Sequence, residues 1–177
     1  MIGQFFRNNK YIAGVWLFLR IYLGWSWLTA GWGKVMGDFN AGGYLQGSVA
    51  NPVMNGEVLK YPNYVAFLEN VAIPNADVFS VMVAWGEVLV GLGLIVGVFT
   101  SAAAFFGVVM NMSFMFAGTV SSNPWMVMIS MFILAAGANA GRYGGDKWVL
   151  PYVKNLVFKN RNNGKGLGAS GDLREAI

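Results

Sequence analysis

The stretch LFLRIYLGWSWLTAGWGK, residues 17–34, decides the class of fold that this chain can adopt. It is an almost unbroken run of apolar and aromatic residues that contains Arg20 and ends at Lys34. A helix of about 20 mostly apolar residues crosses the hydrocarbon core of a bilayer, which is roughly 30 Å thick. Because a guanidinium stays protonated in proteins, Arg20 needs a partner or water inside such a helix. The stretch therefore predicts a membrane-spanning helix whose Arg20 faces the protein interior.

The composition of the chain also indicates a membrane protein. Of its 177 residues, 56% are hydrophobic and only 11% are charged. A soluble domain has about 25% charged residues, so this chain has too few to cover a surface exposed to water. Its 24 glycines and its aromatic content of 15% suit helices that pack in lipid. We predict an all-α integral membrane protein that crosses the cell membrane several times and has the lipid bilayer as its main partner.

Four apolar segments are long enough, or nearly long enough, to span a bilayer. The predicted spans cover residues 11–33, 78–99, 101–118 and 124–140. We predict that residues 1–153 form one membrane domain, a four-helix bundle with a linker at 35–77 between its first two spans. The polar, Gly-rich residues 154–177 are predicted to form a basic, disordered cytoplasmic tail.

The charges that flank the spans predict the orientation of the chain. Basic residues precede the first span and follow the last: Arg7, Lys10, Arg142, Lys147, Lys154, Lys159, Arg161 and Lys165. The linker is mainly acidic, with Asp38, Glu57, Glu69 and Asp77 against Lys60. Loops on the cytoplasmic side of a membrane carry an excess of Lys and Arg. Both termini are therefore predicted to be cytoplasmic, and the linker to be external.

Part of the linker has the pattern of a short amphipathic helix. The sequence PNYVAFLENVAIPN, residues 62–75, has a proline at each end of the pattern. Its apolar residues follow the spacing i, i+3, i+4, i+7: Tyr64, Phe67, Leu68 and Val71. We predict a short external amphipathic helix that lies on the outer membrane interface or caps the bundle.

Three polar residues on different spans are predicted to lie near the middle of the bilayer. At about 1.5 Å per residue, Arg20, Glu87 and Asn111 lie roughly 14–15 Å from the ends of their spans. An uncompensated charge at that depth costs roughly 3 kcal/mol on insertion scales. Glu87 is the only acidic residue inside a predicted span, so it is the natural partner of Arg20. We predict a direct or water-bridged contact between them, with Asn111 as a third hydrogen-bonding group.

Two interpretations of this charge pair remain open from the sequence. The pair either lines a site for a substrate or a proton, or it is a structural clasp that sets the helix register. Lys34 lies on the same helical face as Arg20, and it either reaches the outer interface or contacts an anion. Asn139, on the last span, lies near the cytoplasmic end.

The sequence limits the redox chemistry of the chain itself, because it has no Cys and no His. Iron–sulfur clusters and thiolate nucleophiles are therefore excluded within the chain, and the usual ligands of haem and zinc are missing. Methionines on the last two spans can bind Cu(I), but core packing explains them better. We expect no haem, no iron–sulfur cluster and no metal. Any electrons would travel on a bound organic carrier or through a partner subunit.

The chain resembles the DoxX/DoxD family of small four-helix membrane proteins. The resemblance covers residues 15–153 and rests on LRIYLGWSWLTAGWGK (19–34), GEVLVGLGLIVGVFTSAAA (86–104) and NAGRYGGDKWVLP (139–151). By motif position it falls on Arg20, Gly24, Gly31, Lys34, Glu87, Gly91, Gly97 and Asp146. The chain departs from the pattern at Ser101, where relatives often have a basic residue. Members of the family look like membrane components of oxidoreductase systems, and DoxD is similar to the large subunit of thiosulfate:quinone oxidoreductase.

The resemblance implies a quinone as electron acceptor and a second redox subunit as partner. On this reading Arg20 and Glu87 are the catalytic residues, acting on a quinone carbonyl and its proton. The predicted quinone or substrate contacts are Trp27, Lys34, Asn111, Phe114 and Asn139. A quinone is expected in a lateral, mostly apolar pocket between the first three spans, lined by Trp27, Glu87 and Phe114 with Arg20 as a donor. The alternative is a non-enzymatic membrane protein, either a pathway for protons or small solutes or an assembly partner. A homo-oligomer is compatible with both readings, and no nucleic-acid partner is expected.

Overall fold

The computed structural model describes residues 2–155, and it is all-α apart from one very short hairpin. Its helices are α1 (Ile2–Asn8), α2 (Lys10–Met36), α3 (Ala41–Ala50), α4 (Pro62–Phe67), α5 (Ala76–Val96), α6 (Thr100–Phe116), α7 (Asn123–Ala136) and α8 (146–155). The hairpin joins β1 (Met54–Asn55) to β2 (Val58–Leu59), with Met54 opposite Leu59. The predicted tail lies outside the described residues from position 156 onward.

The ends of the long helices follow from local chemistry. The Asn9 side chain accepts a hydrogen bond from the Tyr11 backbone N–H at 2.8 Å, which caps the start of α2. Pro124 lies in the first turn of α7, where its missing N–H removes no helical hydrogen bond. At the end of α5, Gly97 has φ +71°, a left-handed conformation that glycine adopts without strain. The chain can therefore reverse direction within three residues before α6 begins.

The four longest helices pack side by side. Helix α2 packs against α5 and α7, and α6 packs against the same two helices, so α2 and α6 lie diagonally opposite each other. The contact between α2 and α5 is the closest. A Cβ atom added to Gly91 would lie 2.6 Å from the Leu28 backbone nitrogen, and one added to Gly31 would lie 2.6 Å from that of Val88. Glycines at these positions allow the two backbones to touch.

Large apolar side chains cover the outside of these helices as well as filling the core. Among the exposed ones are Phe18, Leu89, Phe105 and Met131, one from each long helix. Within the described residues, two helices are long and apolar enough to cross a membrane: Lys10–Met36 and the continuous helix Pro62–Val96. Helix α6 is apolar but shorter. An apolar exterior of this kind suits lipid as the surrounding solvent.

The segment predicted as a short helix, 62–75, is helical, but it does not end at its second proline. This segment continues into α5 through a π turn, Leu68–Ala72, and a 3-10 turn, Ile73–Asn75. The π turn inserts an extra residue and accommodates the proline that follows it. It also rotates the apolar face, so that Leu68 and Ala72 are buried whereas Phe67 and Val71 are exposed.

The linker contains a helix, α3, that the sequence analysis did not predict. Its glycines hide the helical signal. The Asn40 side chain accepts from the Gly42 N–H at 2.7 Å, and the Ala41 N–H donates to Ser80 Oγ at 2.8 Å. Leu45 of α3 then packs into a small apolar cluster with Leu68 and Ala72. The linker is thus folded over one end of the bundle, here named the linker face. The opposite end, which has α1 and α8, is the terminal face.

Candidate functional site: two separate polar groups in the bundle

Arg20 is fully buried near the terminal face, where backbone carbonyl groups bind it. Its Nη1 donates to the Ala140 carbonyl oxygen at 3.0 Å, and its Nη2 donates to that of Tyr143 at 3.3 Å. Its Nε has no hydrogen-bond partner in the described part of the chain. The guanidinium thus holds the segment that follows α7 against the end of α5.

Glycines make room for this arrangement. A Cβ atom on Gly97 would collide with the Arg20 guanidinium, and one on Gly144 would lie 2.7 Å from Arg20 Nη1. The Asp146 N–H donates to the Gly97 carbonyl oxygen at 2.7 Å. Arg20, Gly97, Gly144 and Asp146 form what we call the terminal cluster. The motif that follows α7 is therefore a loop shaped to cover the α5–α6 turn.

Asp146 supplies the cap that α6 lacks locally. Its two carboxylate oxygens accept from the Phe99 N–H at 2.6 Å and from the Thr100 N–H at 3.1 Å. Phe99 precedes α6 in a left-handed conformation and offers no side-chain cap of its own. A carboxylate at a helix N-terminus also interacts favourably with the helix dipole. The negative charge of Asp146 acts on Arg20 as well, so it partly compensates the buried cation.

The predicted contact between Arg20 and Glu87 is wrong, because the register of α2 and α5 keeps the two residues apart. The close contacts between these antiparallel helices are Gly24 with Ile95, Leu28 with Gly91, and Gly31 with Val88. Residue 32 is therefore level with Glu87, and Arg20 lies about twelve residues, or roughly 18 Å, closer to the terminal face. Counting depth from the ends of the apolar runs failed because α2 continues well past the end of α5.

Glu87 instead pairs with Lys34. Lys34 Nζ lies 2.6 Å from Glu87 Oε2, and this is the only salt bridge within residues 2–155. The Glu87 side chain is almost fully buried, whereas 26% of the Lys34 side chain is exposed at the linker face. Lys34 Nζ also lies 5.6 Å from the centre of the Phe39 ring, within the range of a cation–π contact. The pair thus joins a buried carboxylate to the outside of the bundle.

Glu87 lies in a layer of buried polar groups to which all four long helices contribute. We call Trp27, Glu87, Asn111 and Ser130 the polar layer. Asn111 and Ser130 are both fully buried. Both polar atoms of the Asn111 amide, the Trp27 Nε1–H and the Ser130 hydroxyl have no hydrogen-bond partner among the described residues. Buried polar groups in proteins nearly always have a partner, so this layer has an unused capacity to bind one.

The packing places Glu87, Asn111 and Ser130 at similar depths, with Trp27 about one turn closer to the terminal face. A Cβ atom added to Gly86 would lie 3.3 Å from the Met110 sulfur, so these two residues face each other across α5 and α6. Their neighbours in the sequence, Glu87 and Asn111, are therefore nearly level. A Cβ atom on Gly107, one turn from Asn111, would lie 3.2 Å from Trp27 Nε1. The Trp27 indole therefore crosses the bundle to the diagonal helix. Counted from the turn between α6 and α7, Ser130 and Asn111 differ in depth by about 3 Å.

The folded linker covers this end of the bundle. The Tyr44 hydroxyl shares a hydrogen bond of 2.9 Å with Thr119 Oγ1, and the Tyr64 hydroxyl donates to the Ser113 carbonyl oxygen at 2.9 Å. Phe114 is half-buried and packs edge-on against the Tyr44 ring, with 6.4 Å between ring centres. Phe114 therefore lies between the polar layer and the cover.

Asn139 lies far from the polar layer. Its Nδ2 donates to the carbonyl oxygens of Phe6 at 2.9 Å and Asn9 at 3.0 Å, which holds α1 against the terminal face. Of the seven predicted site residues, the structure brings together Trp27, Lys34, Glu87, Asn111 and Phe114. It places Arg20 and Asn139 at the other end of the bundle.

An apolar groove of about 400 Å³ lies between α5 and α6 and opens sideways. Leu89, Gly93, Phe99 and Phe106 are among the residues that line it. None of the residues predicted to line a lateral pocket borders this groove. Within the described residues, no cluster of three or more acidic, His or Cys side chains could hold a metal ion.

Sequence reasoning missed the Lys34–Glu87 pairing and the contribution of Ser130. The spacing of Gly24 and Gly31 with Gly91 was the available signal for the pairing, because close-packed glycines set the register of two helices. Ser130 gave no signal in the sequence, since a serine in an apolar helix usually bonds to its own backbone.

Apolar helices with an apolar exterior and buried interior charges define an α-helical membrane protein. The DoxX family model matches residues 15–120, well over half of the chain, and the protein belongs to the DoxX family. Comparison with curated proteins and with solved structures found no match.

Proposed function

We propose that this DoxX protein is the membrane subunit of a quinone-linked oxidoreductase, with the quinone headgroup handled at the polar layer. The observation that carries the proposal is the buried Lys34–Glu87 pair next to the unpartnered amide of Asn111. On this proposal the four long helices span the cell membrane, both termini are cytoplasmic and the linker is external. The basic residues near the termini and the acidic linker support that orientation.

The chemistry of a quinone fits the groups in the layer. Its carbonyl oxygens accept hydrogen bonds, and Asn111 Nδ2 and Trp27 Nε1 are buried donors without partners in the described chain. Reduction to the quinol requires two electrons and two protons. On this proposal Glu87 relays both protons in turn: its carboxylate takes up each proton from the linker face through Lys34 and passes it to a quinone oxygen, and Lys34 stabilises the carboxylate that remains. The electrons come from a donor on a partner subunit, because this chain has no Cys or His. Thiosulfate is the donor that the resemblance to DoxD suggests, and Lys34 at the linker face could attract such an anion.

Native membranes, which retain any partner subunit, provide the test. Quinone reductase activity with thiosulfate as donor is measured for the wild type, for Glu87→Gln and for Glu57→Gln, a change to an exposed linker acid. We expect Glu87→Gln to lower kcat by roughly 10²-fold or more, as for the loss of an acid–base group, and Glu57→Gln to leave it unchanged. Solvent extraction of the purified protein should also release a bound quinone. Lack of bound quinone together with lack of activity with every donor would contradict the proposal.

A second candidate is a non-enzymatic membrane protein whose buried charges only hold the fold together. The contacts of Arg20 favour it, because they are all made within the chain and leave the guanidinium no access to a ligand. If the Lys34–Glu87 pair has the same role, variants of Arg20 and of this pair should all lower the melting temperature. Any loss of activity should then follow the loss of folded protein.

A further inference from the structure

The polar layer is sealed toward the terminal face, and at the linker face it is covered by the folded linker and by the Lys34–Glu87 ion pair. We propose that it is an interior binding site for a small neutral molecule with a carbonyl or hydroxyl group. Such a molecule enters from the linker face, past Lys34 and Glu87. The inference rests on the layer that the proposed function uses, and it adds the ligand class and the route of entry.

The unpartnered atoms define the class of ligand. The Asn111 amide offers donors and an acceptor, Trp27 Nε1 offers a donor, and the Ser130 hydroxyl offers both. The residues around them are apolar, including Met126, Ile129 and Val90 of the main core. A few convergent polar groups in an apolar setting are typical of sites that orient a small molecule by one polar end.

The charge in the layer indicates a neutral ligand. Lys34 and Glu87 neutralise each other at 2.6 Å. The other buried charged side chains of the described chain, Arg20 and Asp146, belong to the terminal cluster. An ion that entered the layer would lack a counter-charge in a low-dielectric interior, which is costly in a membrane.

The seal toward the terminal face consists of fully buried apolar residues. Leu23, Leu94, Ala104 and Ile133, one from each long helix, have no exposed surface, and we call them the apolar layer. They lie three to seven residues closer to the terminal face than the polar-layer residue on the same helix. Beyond them is the terminal cluster, which is itself tightly packed. A polar molecule therefore has no route to Asn111 from that side.

The closure at the linker face is lighter. One flexible side chain, Lys34, covers Glu87 and contacts the Phe39 ring. Rotation of this side chain toward solvent would uncover Glu87, the outermost member of the layer, without displacing a helix. Tyr44 and Tyr64, by contrast, fix the linker to α6. The ion pair is therefore the movable part of the closure.

The absence of cysteine from the sequence allows a direct test by thiol modification. Ser130→Cys places the only thiol in the polar layer. Thr100→Cys is the matched control, because Thr100 is also fully buried with an unpartnered hydroxyl among the described residues but lies beyond the apolar layer. Methyl methanethiosulfonate, a small neutral reagent, is added to the full-length protein in sealed vesicles. Glutathione is added on one side of the vesicles, where it consumes the reagent. A separate Glu57→Cys variant shows which side of the vesicles the linker faces.

We expect slow modification of Ser130→Cys, prevented by glutathione on the linker side and not by glutathione on the other side. Lys34→Met should speed the reaction about tenfold or more, which corresponds to about 1.4 kcal/mol. The reaction of Thr100→Cys should not change. Glu87→Gln keeps the shape of the side chain and should also speed the modification of Ser130→Cys. It replaces Lys34→Met in the test if Lys34→Met does not fold.

Three results would overturn the inference: no effect of either gate variant on Ser130→Cys, equal acceleration of Thr100→Cys, or protection by glutathione on the terminal side. Duroquinone, a neutral quinone without a free position for thiol addition, separates this inference from the proposed function. If Lys34→Met speeds the modification of Ser130→Cys and duroquinone slows it, the result supports both the inference and the proposed function. If Lys34→Met speeds the modification but duroquinone does not slow it, the result supports the binding site and counts against a quinone as its ligand.

Discussion

Lys34 and Glu87 are joined at 2.6 Å across the interface where α2 and α5 pack most closely. The lysine is partly exposed and the glutamate is buried, so the pair links the inside of the bundle to its linker face. Arg20, the charge that the sequence made most conspicuous, lies at the opposite end and binds backbone carbonyl groups. Arg20 and the Lys34–Glu87 pair therefore have different roles, and substitutions at the two places should have different effects.

Removing the lysine of the buried pair should destabilise the protein. Lys34→Met leaves the Glu87 carboxylate buried without its partner, at an expected cost of roughly 1–3 kcal/mol, since Lys34 is only partly buried. Adding Glu87→Gln should recover much of this loss, because the uncompensated charge is then gone. Thermal unfolding in detergent measures both variants. Lys60→Met, at an exposed linker lysine, is the control, and a double variant less stable than Lys34→Met would argue against the pair.

Arg20→Lys should lower stability although it keeps the charge. An ammonium cannot present the planar fork that reaches the Ala140 and Tyr143 carbonyls together. The expected cost is roughly 1–3 kcal/mol, the range for losing hydrogen bonds to a charged group. Limited proteolysis of the segment after α7 should detect the loosened loop. Arg142→Lys, at an exposed neighbour in the same loop, should give the wild-type cleavage rate; equal rates for all three proteins would exclude a clamp at Arg20.

Asp146 should behave as a helix cap supplied from a distant part of the sequence. Asp146→Ala removes the acceptor for the Phe99 and Thr100 N–H groups, and we expect a loss of about 0.5–2 kcal/mol. Asp146→Asn keeps an acceptor and should cost less. Hydrogen exchange of the first turn of α6 reports the effect locally. Unchanged protection in the alanine variant would contradict this role.

The α2–α5 interface should not tolerate a methyl group at its closest point. Gly91→Ala places a Cβ atom 2.6 Å from the Leu28 nitrogen, so the helices must separate, at an expected cost of roughly 1–3 kcal/mol. Gly33→Ala is the matched control, because nothing lies within 4 Å of a Cβ atom added there. That variant should be neutral or slightly more stable, since alanine favours helix. The melting temperatures of the two variants are compared. Equal melting temperatures for Gly91→Ala and Gly33→Ala would mean that the contact at Gly91 is not tight.

The sequence by itself determined the class of this protein. The apolar run that contains Arg20, the low charge content and the motifs of the first two spans were sufficient for an all-α DoxX protein. They also placed Glu87 and Asn111 at similar depths, because the tight turn between their helices aligns the two. These properties depend on composition and local spacing, which one chain segment can encode.

Only the tertiary structure decided which charges meet. The partner of Glu87 depends on how far α2 slides along α5, and the contacts of Gly24, Gly31 and Gly91 set that register. Depths counted from the ends of the two apolar runs gave a register about twelve residues away, and with it the wrong partner, because α2 continues well past the end of α5. The cap from Asp146 likewise joins segments that are distant in sequence. The π turn before α5 shifts the periodicity of the helix. Pattern reasoning reads one helix at a time, whereas the ion pair at this site is a property of the packing between two.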